Sequence, residues 1–332
     1  MPHDAGRMKC IQVKEPGGPE VMALVEVPTP QPGPGEALVR LAASGVNFLD
    51  VYLRSGRYYQ ADMPLTLGNE GAGTVEAVGR DVHEVGIGDR VAYAMVRGSY
   101  AEYAVVAAAR LVKIPDSLSF TDAAAAMLQG MTAHYLTYST YQVTSTDTCL
   151  IHAAAGGAGG LLVQVAKMRG ARVLGTVSTE EKAQVARENG ADETILYTRA
   201  PFDEVVKRLT EGRGVDVVYD SVGRATFEMS LNCLRQRGML VVFGQSSGQI
   251  PLFDTMLLNR KGSVFLTRAG LGHYLLTREE LLWRAGDVLN WVATGRLKLR
   301  IGGTYPLADA AAAHRDLEGR RTVGKLLLTI GV

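Results

Sequence analysis

Ten residues in the middle of the chain carry the clearest chemical signal: Ile151-His-Ala-Ala-Ala-Gly-Gly-Ala-Gly-Gly160. An apolar run precedes them and an amphipathic run follows, a pattern of strand, turn and helix. Within the turn, Ala154-x-Gly156-x-x-Gly159 is a dinucleotide fingerprint with alanine in its first glycine slot. Gly156 lets a backbone approach a pyrophosphate, and Gly159 lets the helix pack closely on the strand. The helix N-terminus then offers free N–H groups and the positive end of its dipole to the anion. Ala155, Gly156, Gly157, Ala158 and Gly159 form the expected cradle. The plain alternative is a glycine-rich packing turn without ligand.

The tip of the following strand sets the choice of cofactor. In an NAD site an acid about 20 residues beyond such a loop binds the ribose hydroxyl. Here that stretch reads Thr176, Val177, Ser178, Thr179, with no acid. Lys182 follows, and Tyr197 closes the next strand. Hydroxyls plus an ammonium suit a 2′-phosphate, so the expected cofactor is NADPH. Glu180 and Glu181 would repel that phosphate if they turned inward, but acids at a helix start ordinarily face solvent and favour its dipole. Lys182 as a simple solvated helix lysine stays open. His152, just before the loop, either lines the cofactor pocket or packs. The six histidines show no ligand spacing such as His-x-x-x-His, and no Gly-x-Ser-x-Gly elbow supports a hydrolase.

These groups need a scaffold, and the chain supplies two textures. At 332 residues it has room for about two domains. Before residue 120 the runs are short and broken by Gly and Pro: Met8–Lys14, Glu36–Ala43, Gly73–Val78, Arg90–Ala94 and Tyr100–Val106 read as strands of a β-rich barrel or sandwich with few helices. Ser119-x-x-Asp122 then caps a helix reaching about Tyr138. Strand and helix alternate afterwards, with strands at Thr148–His152, Arg172–Val177, Thr194–Tyr197, Val215–Asp220, Met239–Phe243 and Ser263–Thr267. The expected helices are Gly159–Arg169, Glu180–Asn189, Phe202–Glu211 and Ala225–Arg237. Six such strands predict a parallel, doubly wound sheet, so the class is α/β. Past residue 270, helices at Arg278–Thr294 and Pro306–Glu318 and a strand at Lys325–Ile330 return to the first domain. The expected domains are 1–127 with 271–332, and 128–270.

Composition excludes other classes. Lysine plus arginine number 35 and aspartate plus glutamate 34, so no global field draws nucleic acid or an anionic membrane. No apolar stretch approaches the roughly 18 residues of a membrane span. Cys10, Cys149 and Cys233 are too few and too scattered for a disulfide framework or a zinc knuckle, which points to the cytoplasm. The first seven residues read as a disordered leader before a second possible start at Met8.

The order of motifs resembles the medium-chain dehydrogenases/reductases. Asn47-Phe-Leu-Asp50, Tyr52-Leu-Arg-Ser-Gly56, Gly68-Asn-Glu-Gly71, Gly88-Asp-Arg-Val91 and the glycine loop carry the likeness. Val218-Tyr-Asp-Ser-Val-Gly223, Phe243-Gly-x-Ser-Ser-Gly248 and Thr277-Arg-Glu-Glu-Leu281 narrow it to the zeta-crystallin-type NADPH:quinone oxidoreductases. The resemblance implies a GroES-like catalytic domain, a Rossmann domain, a cleft between them and a homodimer. It places Asn47, Asp50 and Tyr52 on the nicotinamide side, with Asn47 and Tyr52 as hydrogen-bond donors to a carbonyl; tyrosines that only wall the pocket are the alternative. It places Thr132, Phe243, Ser246 and Arg268 on the cofactor. Arg320 is matched to the adenosine phosphate, with Arg321 beside it leaving the register open by one. Zinc-dependent relatives carry a cysteine where this chain has Asn47 and a histidine where it has Asn69. Amides do not replace such ligands, so no metal is expected and alcohol oxidation is disfavoured.

The leading expectation is thus an NADPH-dependent quinone reductase that works without zinc, mainly by proximity and orientation, with the proton drawn from solvent. An alkenal or enone reductase is the nearest alternative. A non-catalytic NADPH-binding role, as a crystallin or an RNA-binding protein, is the alternative from another class.

Overall fold

The computed structural model describes residues 6–58 and 60–331. It divides into two compact units, 1–131 with 275–332, and 132–274. The first unit opens with β1 (Arg7–Val13), β2 (Met22–Pro28), β3 (Glu36–Val46), α1 (Phe48–Ser55), β4 (Leu65–Thr66), β5 (Glu70–Val78), β6 (Arg90–Ala94), β7 (Tyr103–Ala107) and β8 (Val112–Lys113). β1 pairs with β2 and β4, while β3 is the hub of a larger, mostly antiparallel sheet. Helix α2 (Phe120–Tyr135) crosses the boundary between the units. Its start is capped as the sequence implies, the Asp122 N–H donating to Ser119 Oγ at 3.0 Å.

The second unit holds β9 (Thr148–Ile151), α3 (Gly157–Met168), β10 (Arg172–Val177), α4 (Glu180–Glu188), β11 (Glu193–Leu196), α5 (Phe202–Leu209), β12 (Val215–Asp220), α6 (Phe227–Cys233), β13 (Leu234–Val242), α7 (Met256–Arg260) and β14 (Phe265–Arg268). The six strands form a parallel sheet in the order β11-β10-β9-β12-β13-β14. This is the doubly wound Rossmann arrangement, with its switch point between β9 and β12. Strands buried on both faces explain apolar runs such as Cys149–Ile151, and all six residues of Val215–Asp220 are buried. The chain then returns to the first unit with α8 (Arg278–Ala293), β15 (Ile301–Pro306), α9 (Ala310–Glu318) and β16 (Lys325–Thr329). β16 pairs with β3, so two segments nearly 280 residues apart share one sheet: Leu326 lies opposite Val46. Its core gathers Leu41, Val46, Leu53 and Tyr100 with Leu326 and Leu328.

Several expectations need correction. The segment 225–237 is not one helix: α6 stops at Cys233 and β13 begins at Leu234. Pairing decides this, because Leu234 lies opposite Val215 and Arg235 Nε reaches Asp216 at 2.6 Å, which outweighs the helix propensity of Leu-Arg-Gln-Arg. Helix α1 lies in the half expected to be poor in helices. A capping box between Asn47 and Asp50 starts it, and left-handed Gly56 ends it. β15 was also unforeseen, since Gly302-Gly303 hides a strand that exists by pairing with β16. The first of the expected strands opens at Arg7, opposite Pro28, one residue inside the expected leader; residues 1–5 lie outside the described residues. Tyr197 falls just past β11 rather than within it.

Candidate active site

In the second unit the glycine loop joins β9 to α3. The backbone turns through Ala153 at a φ of 51° and is extended again at Gly156, the N-cap of α3. No side chain caps this helix, so the N–H groups of Gly157, Ala158 and Gly159 have no intrahelical acceptor and suit an anion. A Cβ on Gly159 would sit 2.2 Å from the Ala153 carbonyl oxygen, which is why only glycine lets α3 approach the turn. The alanine in the first glycine slot has its own compensation: a Cβ on Gly175 of β10 would lie 2.7 Å from the Ala154 Cβ. The missing glycine is supplied across the sheet, a signal too remote in sequence to read. His152 is a packing residue. Its Nδ1 meets Thr176 Oγ1 at 2.8 Å and its Nε2 meets Ser230 Oγ at 2.9 Å, and burial lowers its pKa, which favours the neutral ring.

At the neighbouring strand tips, the Tyr197 N–H donates to the Val177 carbonyl at 3.2 Å and Thr198 Oγ1 to the Ser178 carbonyl at 3.0 Å. Thr179 Oγ1 caps α4 by accepting the Lys182 N–H at 3.3 Å. The fold thereby gathers Ser178, Lys182 and Tyr197. The nearby acids are engaged. Glu180 pairs with Arg187 at 3.0 Å and with Arg199 at 3.9 Å. The Glu181 carboxyl is held below its usual range by backbone N–H and Thr179 hydrogen bonds. Arg187 meets Glu180 two turns away along α4, whereas Arg199 is brought to it by the turn after β11.

Phe243 and Ser246 follow β13. Their N–H groups bond the carbonyls of Asp220 at 2.8 Å and Ser221 at 3.2 Å. Arg268 ends β14 with its guanidinium on the Val242 carbonyl at 3.3 Å. With the glycine loop and Ser178, these residues sit at the carboxyl ends of the parallel strands, where doubly wound sheets bind ligands. Thr132 is buried on α2 in the same unit. Arg320 belongs to the first unit, beyond α9, at a φ of 55°. Its neighbour Arg321 is committed to Asp316 at 2.7 Å.

The first unit holds a buried polar cluster at the start of α1. Asp50 Oδ1 accepts from Asn69 Nδ2 at 2.6 Å, and Oδ2 accepts from the Asn47 N–H at 2.9 Å and the Tyr100 hydroxyl at 3.2 Å. Burial pushes the Asp50 carboxyl up to about 6, opposed by the Asn69 and Asn47 hydrogen bonds and by the Lys325 charge. Glu70 accepts from Asn47 Nδ2 at 2.6 Å and the Leu128 N–H at 2.7 Å, and it pairs with Lys325. Asn47 Oδ1 takes Lys325 Nζ at 2.8 Å and Gln129 Nε2 at 3.2 Å. The Asn47 side chain thus gives one N–H to Glu70 and its oxygen to Lys325 and Gln129, and its second N–H has only the Gly45 carbonyl at 3.5 Å. Any donor role toward a carbonyl falls to that weakly held N–H. Asn69 differs: beyond its bond to Asp50, its second N–H and its Oδ1 find no partner among the described residues. Tyr52 is buried, with the Tyr58 ring edge-on at 5.1 Å. Lys325, 255 residues from Glu70, could not be found from sequence spacing.

A zinc ion does not fit this cluster. Two amides stand where soft or anionic donors would be needed, and the Lys325 ammonium already neutralises Glu70. Among the described residues no group of three or more His, Cys, Asp or Glu could hold a metal, and no helix is long and apolar enough to cross a membrane.

Comparisons with known proteins agree with this layout. The alcohol dehydrogenase GroES-like domain matches residues 33–116, and the zinc-binding dehydrogenase family matches 157–280. A quinone oxidoreductase from Pseudomonas aeruginosa is 45% identical over 96% of this chain and 99% of its own. A 2-haloacrylate reductase from Burkholderia is 42% identical over 95% of this chain and 97% of its own. The crystal structure of Escherichia coli quinone oxidoreductase complexed with NADPH is 42% identical, covers 97% of this chain and 99% of its own, and superposes with a TM-score of 0.95.

Proposed function

The chain belongs to the quinone oxidoreductase family of medium-chain dehydrogenases/reductases, and we infer that it is an NADPH-dependent quinone reductase. The observation that carries the cofactor is the strand tip: Ser178, Lys182 and Tyr197 near the carboxyl ends of β10 and β11, with Glu180 paired to Arg187 and Arg199, beside an uncapped helix start. The N–H groups of Gly157, Ala158 and Gly159 hold the pyrophosphate, with Ala155 and Gly156 giving the backbone room. Ser178, Lys182 and Tyr197 hold the 2′-phosphate, and Arg320 adds charge on the adenosine side. Thr132, Phe243, Ser246 and Arg268 complete the cofactor site. Bound NADPH supplies the hydride.

On the acceptor side, Asn69 and Tyr52 offer hydrogen bonds to the quinone oxygen, where negative charge develops. Asp50 orients Asn69 directly, and Asn47 holds Asp50 in place through its backbone N–H. No zinc takes part. A quinone is electrophilic enough to need no metal, and the proton comes from solvent. Three buried, unpaired cysteines suit a cytoplasmic enzyme. A homodimer through the β14 edge completes the proposal.

The test is steady-state NADPH oxidation against a panel of quinones and enones, with and without a chelator. Turnover with quinones that survives chelation is expected. Turnover with enones alone would replace the acceptor class, and loss of activity on zinc removal would overturn the metal-free reading.

A further inference from the structure

Behind Asp50 runs a buried chain that the proposed reaction does not use. The Tyr100 hydroxyl stands 3.1 Å from His314 Nε2, and His314 Nδ1 stands 2.9 Å from Arg54 Nη1. Arg54 in turn pairs with Glu318. The four links come from α1, the segment before β7, and α9, and Asp50, Tyr100, His314 and Arg54 are all buried.

Hydrogen-bond chemistry gives the chain one direction. A guanidinium only donates, so His314 Nδ1 must accept. Burial, with the Arg54 charge adding to it, lowers the His314 pKa to about 3 and keeps the ring neutral. Its proton therefore sits on Nε2 and points at the Tyr100 oxygen. Tyr100 must then spend its own proton on Asp50, which matches the bond present. With the Asn47 N–H and Asn69 Nδ2, Asp50 thus faces three donors. That surrounding suits a carboxylate. The other charges acting on it are Lys325, which favours ionisation, and Glu70, which opposes it.

We propose that Tyr100 and His314 are positioning residues for the acceptor site: the chain from Arg54 keeps Asp50 an all-accepting carboxylate, and Asp50 thereby fixes which end of the Asn69 amide is turned toward it. An ionised Asp50 can only accept, so it takes the amide nitrogen and leaves Asn69 with one N–H and its oxygen to present. A protonated Asp50 donates instead, takes the amide oxygen and inverts what Asn69 presents. This rests on the quinone-reductase reading, with Asn69 on the acceptor side.

The experiment follows quinone reduction at saturating NADPH from pH 5 to 9, alongside the infrared carboxyl band of Asp50, assigned by its loss in Asp50→Asn. In the wild type, turnover should fall as the pH drops through about 6 while the protonated band rises in step. Tyr100→Phe keeps the buried ring and removes one donor to the carboxylate. It should move both midpoints up by about one pH unit. His314→Gln can still accept from Arg54 and donate to Tyr100, so it should stay close to the wild type. A Tyr100→Phe protein with unmoved midpoints overturns the proposal. So does a band that shifts while turnover does not follow. A His314→Gln shift as large as that of Tyr100→Phe overturns the directed chain. If no quinone is reduced at any pH, the reaction assigned above fails, and the band still reports on the chain independently.

Discussion

Asn47 and Asn69 share one cluster but differ in what they have left to offer. Asn47 is engaged by Glu70, Lys325, Gln129 and, at 3.5 Å, the Gly45 carbonyl, whereas Asn69 gives up a single N–H. The Glu70–Lys325 pair is wholly buried, so each charge depends on the other. Lys325→Met should therefore cost about 3–5 kcal/mol, since it leaves a buried carboxylate uncompensated. The double variant Glu70→Gln/Lys325→Met should recover much of that loss, and urea unfolding of both proteins checks it. In the second unit, Lys182 is the residue proposed to set the cofactor preference. A hydrogen bond to a charged group contributes roughly 1.5–3 kcal/mol, so Lys182→Ala should weaken NADPH by about 10- to 100-fold and leave NADH nearly unchanged. Equal losses for both cofactors, read from fluorescence titrations, would make the lysine a general support.

At the scale of elements, the same residue type plays opposite parts in two helices. Gly159 in the first turn of α3 faces backbone at 2.2 Å, and Gly286 inside α8 has nothing within 4 Å. Gly159→Ala must push α3 away from its turn, costing roughly 1–3 kcal/mol and loosening the N–H cradle. NADPH affinity should fall at least about tenfold. Gly286→Ala should instead stabilise by about 0.5–1 kcal/mol through helix propensity. Thermal melts with calorimetric NADPH titrations separate the two. A sequence reading finds the first glycine because its motif is local. It misses α1, whose cap Asn47 and N3 residue Asp50 read as chemistry rather than as a helix start.

For the whole molecule, the six-stranded sheet leaves β14 at one edge, with Phe265 58% exposed. An apolar open edge invites pairing with another strand, and a symmetry-related copy would satisfy it. Phe265→Lys should convert the proposed dimer to a monomer, because a charge in place of the exposed ring disfavours apolar edge pairing. Sedimentation at micromolar concentration measures this, and a wild-type monomer would remove the premise.

The sequence by itself determined the alternating strands and helices of the second unit, the glycine loop, the acid-free strand tip and the amides that exclude zinc. All are local, because strand, turn and cap preferences act within about ten residues. Tertiary structure alone decided that Gly175 makes room for Ala154, that segment 234–242 is a strand, and that Lys325 fills the charge balance beside Asn47. It also decided that Tyr100 and His314 converge on Asp50 from positions 50 and 264 residues away. Such contacts depend on which backbone segments the sheets bring together. A side chain's partner across 200 residues leaves no trace in spacing, and burial alone turns that partnership into a strong one.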